Sequence, residues 1–278
     1  MKPEALAGIM AAAATSLAAG GAMAQDAWRA LAPENVWVLD TSKGRVVVAL
    51  APEVAPRHVE RIRTLTARGF YDGLGFHRVI PGFMAQGGDP EGTGAGGSDL
   101  PDVPGEFSFR RGREAGFTPM EPRPGQPLSG IVGVMPVVTQ PDAQMMVTAD
   151  FRVPATARFC PGVLGMARST DPNSANSQFF LMTAANPGLD GDYTALGRVV
   201  QGLEVVNALK PGDPAEDGAV TADPDRIVRA RMASDLPAVE RPILRIAAPG
   251  TPALVAAVAA TRDVCSVIVP VEISGGPQ

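Results

Sequence analysis

Arg78, Gln86 and Gln178 are the polar side chains of this 278-residue chain whose neighbours could give them chemical work. Arg78 and Gln86 lie in Phe76-His77-Arg78-Val79-Ile80-Pro81-Gly82-Phe83-Met84-Ala85-Gln86-Gly87-Gly88-Asp89, and Gln178 in Asn176-Ser177-Gln178-Phe179-Phe180. An arginine is always charged and carries five donors in a rigid fork, so it suits a site where charge must be met at a fixed place. Phe83, Met84, Phe180 and Leu189 could form an apolar slot beside it. Each also has a plainer reading. Arg78 taken alone reads as a surface ion-pair partner, and the aromatic and methionine side chains as core. Phe179 and Phe180 cannot both face one way on a strand, so one of them belongs to the core. His77 reads as a packed structural histidine and His58 as a helix-surface residue. Two histidines and two cysteines are little material for a zinc site, so no metal and no cofactor is expected.

Two further blocks follow in order: Gly165-Met166-Ala167-Arg168, and Leu189-Asp190-Gly191-Asp192-Tyr193 with Leu196-Gly197-Arg198-Val199. Together the blocks resemble the cyclophilin family of peptidyl-prolyl cis/trans isomerases, over residues 35–105 and 160–235. The resemblance implies a mainly β fold, a closed eight-stranded antiparallel barrel capped by two helices, with the site on its outer face. It implies that Arg78, Gln86 and Gln178 act on the substrate. Phe83, Met84 and Phe180 would hold a proline ring, and Gly92, Ala167, Leu189 and Tyr193 would line the edges. Gly188 and Tyr193 depart from the tryptophan and histidine of eukaryotic members. The physics agrees with the set. Turning an Xaa-Pro amide means losing resonance, a barrier of about 18–20 kcal/mol, and needs neither nucleophile nor general base. The competing expectation is a polypeptide-binding chaperone or assembly module with little isomerase activity.

The elements that must position these residues are legible in outline. Apolar, β-branched residues 36–41 and 45–50 flank Ser42-Lys43-Gly44, a hairpin signature. Val59, Ile62 and Leu65 recur at helical spacing over residues 57–68, and Gly69 ends the run. Residues 76–84 read as a strand broken at Pro81-Gly82, and residues 163–166, 179–182, 193–200 and 227–232 as further strands. Residues 203–210 read as a second helix. Gly92-Thr93-Gly94-Ala95-Gly96-Gly97 fits a dinucleotide-loop pattern, but Ser98-Asp99-Leu100-Pro101 after it is a poor helix, so it reads as a loop beside the groove. Asp190-Gly191-Asp192 reads as a turn.

Around this domain, taken as residues 34–235, lie three additions. Residues 6–20 are an Ala-rich apolar run after Lys2, and Ala22-Met23-Ala24 fits a signal peptidase site, so residues 1–24 read as a signal peptide cleaved after Ala24. That predicts a periplasmic or secreted protein with no membrane span in the mature chain. An insertion of irregular chain is expected at about 106–160, where Pro119, Pro122, Pro124 and Pro127 crowd together. Residues 236–278 read as a small extension, with strands at 242–247 and 264–273 around a helix at 251–262, too short to fold unless packed on the main domain. Export permits a Cys160–Cys265 disulfide, with two buried thiols as the alternative. A net charge of −5 argues against nucleic acid as a partner. Proline-containing polypeptides are the expected partners, bound by a monomer.

Overall fold

The computed structural model describes residues 27–276; the signal-peptide reading lies outside them. The hairpin forms as its sequence requires. Strands β1 (Trp28–Ala30), β2 (Val36–Thr41) and β3 (Gly44–Leu50) open the fold, and β2 pairs antiparallel with β3 from Val36–Ala49 down to Thr41–Gly44. Ser42 and Lys43 make the turn, and Gly44 takes the positive φ, +135°, that a side chain would resist. Helix α1 (Pro56–Ala67) starts on a proline, whose missing N–H is no loss in the first turn. Its Val59, Ile62 and Leu65 are fully buried, and Gly69 in the left-handed region closes it.

The start of α1 is capped from far away in sequence. The Glu106 carboxylate accepts the backbone N–H groups of Arg57 and His58 and meets His58 Nδ1 at 2.7 Å. Burial pushes the Glu106 carboxyl up, but these donors outweigh it and hold it below the ordinary carboxylate value. His58 is therefore not on the helix surface; it is fully buried. Only a tertiary partner makes that affordable for a polar ring.

Eight strands form the main sheet. To β2 and β3 it adds β4 (Arg78–Ile80), β5 (Met84–Gly87), β11 (Val163–Met166), β12 (Phe179–Met182), β13 (Ala195–Gln201) and β14 (Ile227–Met232). Their order is β14-β2-β3-β13-β11-β12-β5-β4, antiparallel throughout. The fold is mainly β, as expected, but the sheet is an open half-barrel, not the closed barrel expected. Strand β4 ends after three residues at the Pro81-Gly82 turn and does not pair with β14. Among the described residues, the chain before and around them meets at isolated bridges, Gly75 with Arg226 and Arg78 with Ala219. Inside the curl, Trp37, Tyr71 and Phe179 pack edge to face at 5.0–5.7 Å between ring centres. Helix α2 (Leu203–Asn207) is shorter than expected and contributes Val206 to this core.

The segment expected to be irregular is a second sheet. Strands β6 (Phe109–Arg111), β7 (Phe117–Pro119), β8 (Leu128–Val132), β9 (Met135–Thr139) and β10 (Val153–Ala157) pair in the order β6-β10-β9-β8-β7. Pro122, Pro124 and Pro127 fall in the β7–β8 connection, and Pro119 ends an edge strand, where a missing N–H costs little. The C-terminal extension joins β1 in a third sheet, β1-β15-β16, through β15 (Ile243–Ala247) and β16 (Val271–Ser274), with α3 (Pro252–Ala259) between the last two in sequence. The strand expected over 264–273 is split: residues Val264–Ser266 make a 3-10 turn before Pro270 and β16.

These additions bury the outer face of the main sheet. Ala49, Met84, Phe180, Met182 and Ala195 of the main sheet share one core with Ile131, Met135 and Val137 of the second sheet and with Leu254, Val258 and Val267 of the extension. Two links cross it. Cys160 and Cys265 are bonded through sulfur, with Cα atoms 4.9 Å apart. Arg198 donates to the carbonyls of Pro161 and Val267, and burial pushes its pKa down to about 10, still charged at neutral pH. Closing 105 residues of chain with the bridge is worth roughly 4–5 kcal/mol in chain-entropy terms. Replacing both cysteines by serine is expected to lower unfolding stability by about 2–4 kcal/mol in urea titration, and the native unreduced protein should show no titratable thiol.

Candidate active site

The hairpin β4–β5 places Arg78 directly opposite Gln86, and β5 pairs with β12 so that Gln86 stands opposite Phe180. Strand alternation then does the sorting. Val79, Ala85 and Phe179 enter the inner core, while Met84 and Phe180 join the outer one. Gln86 and Gln178, each two residues from one of these outward positions, share their face, and Arg78 joins them through its pairing with Gln86.

The three polar side chains form one directed chain. Arg78 Nη1 donates to Gln86 Oε1 at 3.2 Å, and Gln86 Nε2 donates to Gln178 Oε1 at 2.8 Å. Gln178 Nε2 donates in turn to the carbonyls of Gly94 and Gly96 at 2.9 and 2.8 Å. Carbonyls can only accept, so both glutamine amides are held in a single orientation and Gln86 turns its oxygen to the guanidinium. The glycine loop is itself anchored. The Asp89 carboxylate accepts backbone N–H groups of Glu91, Thr93 and Gly94. Burial would push the Asp89 carboxyl up, but the N–H groups of Glu91, Gly94 and Gly96 outweigh it and hold it below its ordinary value of 3.8. His77 is buried beside this loop, as a structural histidine should be, and burial pushes its pKa below the ordinary histidine value against the pull of Asp89.

The apolar part is built around Phe180. Phe159 stacks on it at 5.7 Å and 25°, and Tyr193 meets it edge-on at 5.9 Å. Gly165 lies beneath: a Cβ there would stand 2.4 Å from Phe180 Cζ and 2.7 Å from Phe159 Cε1. Phe83, Ala167 and Leu189 are half-buried and pack on the same core. Arg168 lies 4.3 Å over the Tyr193 ring and donates to the Asp192 carbonyl. A cavity of about 500 Å³ opens beside this cluster, with Gln86, Gln178, Ala167, Arg168 and the loop from Gly94 to Gly97 in its walls.

Most of the expected site residues thus come together. Gln86, Gln178 and Ala167 line the cavity, whereas Arg78, Phe83, Phe180, Leu189, Tyr193 and Gly92 stand outside its walls. Met84 is fully buried behind the face. Phe159 and Asp190 were not singled out as site residues. Asp190, in the segment read as a turn, accepts Phe159 N–H at 2.7 Å and pairs with Arg158 at 3.0 Å, fastening the end of the insertion to the site loop. An aromatic beside Cys160 was the available signal for Phe159.

The candidate site is thus an apolar aromatic cluster and an oriented guanidinium on the outer face of a curled antiparallel sheet. Residues 36–232 match the family model described as "Cyclophilin type peptidyl-prolyl cis-trans isomerase/CLD". A probable peptidyl-prolyl cis-trans isomerase of Brucella suis biovar 1 (strain 1330) is 38% identical over 214 residues, 73% of this chain and 85% of that one. A peptidyl-prolyl cis-trans isomerase-like 1 of Aspergillus fumigatus is 34% identical over 199 residues, 71% of this chain and 95% of that one. The crystal structure of cyclophilin AquaCyp293 from Hirschia baltica matches with a TM-score of 0.81 at 34% identity, covering 95% of this chain and all of that one. The chain belongs to the cyclophilin-type peptidyl-prolyl cis-trans isomerases.

Two outcomes follow from the geometry. Gly165→Ala should push Phe180 and Phe159 apart, with an overpacking cost of about 1–3 kcal/mol and a drop in isomerase kcat/KM measured on a short Xaa-Pro peptide. Because the folded Asp89 carboxyl lies below its ordinary value, its contribution is complete above about pH 4 and is lost as pH falls through the folded value. Urea titrations stepped from pH 5 to pH 2 should therefore show a shallower acid loss for Asp89→Asn than for the parent protein.

Proposed function

We propose that this isomerase turns Xaa-Pro bonds in exported polypeptides, with Arg78 as the group that stabilises the twisted amide. The observation that carries the reading is the directed chain from Arg78 through Gln86 and Gln178 beside the Phe180 cluster. As the amide turns, its nitrogen becomes pyramidal and its lone pair localises, and a donor already in place meets that charge without reorganising. Phe83, Phe180, Leu189 and Tyr193 hold the proline ring, with Met84 behind them and Ala167 at the edge. A 10⁵-fold acceleration calls for roughly 7 kcal/mol, at about 1.4 kcal/mol per decade. Clamping the ring and a preorganised cation together are of that order.

Export is supported by the Cys160–Cys265 bond, which persists in oxidising compartments, and by the leader-like residues 1–24. Among the described residues no helix is long and apolar enough to cross a membrane. The net charge of −5 fits polypeptide clients better than nucleic acid, and the protein acts as a monomer in this reading. The test is the isomerisation rate on a short Xaa-Pro peptide. Arg78→Ala is expected to lower kcat by ~10²-fold, the size seen when one preorganised donor is removed, with KM nearly unchanged. A parent-like rate in that variant would refute the role of Arg78.

A further inference from the structure

We propose that Asp217 is a positioning residue for the isomerase reaction: its carboxylate holds the Arg78 guanidinium in the orientation that the amide requires. The inference rests on the role of Arg78 given above. Arg78 Nε donates to the Asp217 carbonyl at 2.9 Å, and Nη2 meets Asp217 Oδ2 at 2.9 Å. One residue thus occupies one edge of the guanidinium from two sides, and Gln86 accepts from Nη1. Three of the five N–H groups are committed, and the remaining two are free for substrate. Without the carboxylate the planar group would keep its Nε bond to the residue 217 carbonyl and its Nη1 bond to Gln86 but lose its hold at Nη2, and that end could tilt.

The loop that carries Asp217 is built to deliver it. Asp213 caps the turn Pro214–Glu216 by accepting Ala215 N–H, and Gly218 N donates back to the Asp213 carbonyl at 2.8 Å. The loop is fastened to β4, since Val79 N donates to the Gly218 carbonyl at 2.8 Å and Gly212 N to the Val79 carbonyl at 2.9 Å. A Cβ on Gly218 would fall 2.3 Å from Ile80 Cγ1, so glycine is what lets the loop approach so closely. Asp217 itself sits at φ +51°, ψ +35°, a left-handed conformation that glycine adopts with less strain and that Asp and Asn tolerate. A carboxylate stands there, and the acceptor that it presents lies on the catalytic guanidinium. The side chain is 81% exposed, so its value to overall stability is small. Its effect is local, on where Arg78 points.

Asp217→Gly removes the carboxylate and suits the left-handed backbone, so it separates positioning from strain. We expect kcat on a short Xaa-Pro peptide to fall about three- to five-fold, the rate equivalent of a partly exposed ion pair, with KM unchanged. Asp217→Asn keeps an acceptor but not the charge and should lie between the two. In an Arg78→Ala background, Asp217→Gly should cost nothing further, a coupling that a merely structural loop would not show. The proposal is overturned if Asp217→Gly keeps the parent kcat, if the loss falls on KM, or if it is as large without Arg78 as with it. Should the glycine variant fail to fold, the same two backgrounds read with Asp217→Asn decide the matter. Failure of Arg78→Ala to lower kcat would instead remove the reading of Arg78 on which this rests.

Discussion

The pleat of one short strand governs this molecule. In β12, Phe179 points into the curl of the main sheet against Trp37 and Tyr71, and Phe180 points out against Phe159 and Tyr193. Strand alternation allows no other division once either ring is placed. A slip of one residue would put an aromatic ring where Gln178 must reach the glycine loop. The inner core and the site are therefore two faces of the same constraint.

An outward-facing apolar surface has to be covered or used, and this chain does both. Near Arg78 and Gln86 the outer face stays open and forms the site. Farther along, the five-stranded insertion and the C-terminal sheet lie on it and build a second core. Phe159, at the end of the insertion, belongs to both regions, because it stacks on Phe180 and adjoins Cys160. What looks like an accessory layer is thus part of the wall behind the Phe180 cluster. The disulfide and Arg198 fasten that wall to the extension.

The site's electrostatics follow a similar economy. Its polar groups are arranged so that every acceptor along the chain is already satisfied in one direction, ending on backbone carbonyls that Asp89 keeps in place. Such an array has little to reorganise when charge develops beside it. Belonging to the cyclophilin-type isomerases explains the pattern of residues; the fixed amide orientations explain how this chain keeps them ready.

Several features were determined by the sequence alone. The β2–β3 hairpin, helix α1 and the order of the motif blocks rest on local signals, alternation, helical spacing and turn glycines, that need no knowledge of distant residues. The opposite facing of Phe179 and Phe180 follows from those signals too. Other features were decided only by the tertiary structure. The second sheet was hidden because prolines dominate the local reading of 119–127, while the pairing that overrides them joins strands far apart in sequence. His58 is buried because Glu106, 48 residues on, supplies its partner. The barrel stays open because β4 meets a loop where β14 would have to be. Phe159 and Asp217 reach the site only when long-range packing carries them there, and no local propensity encodes a contact between residues 78 and 217.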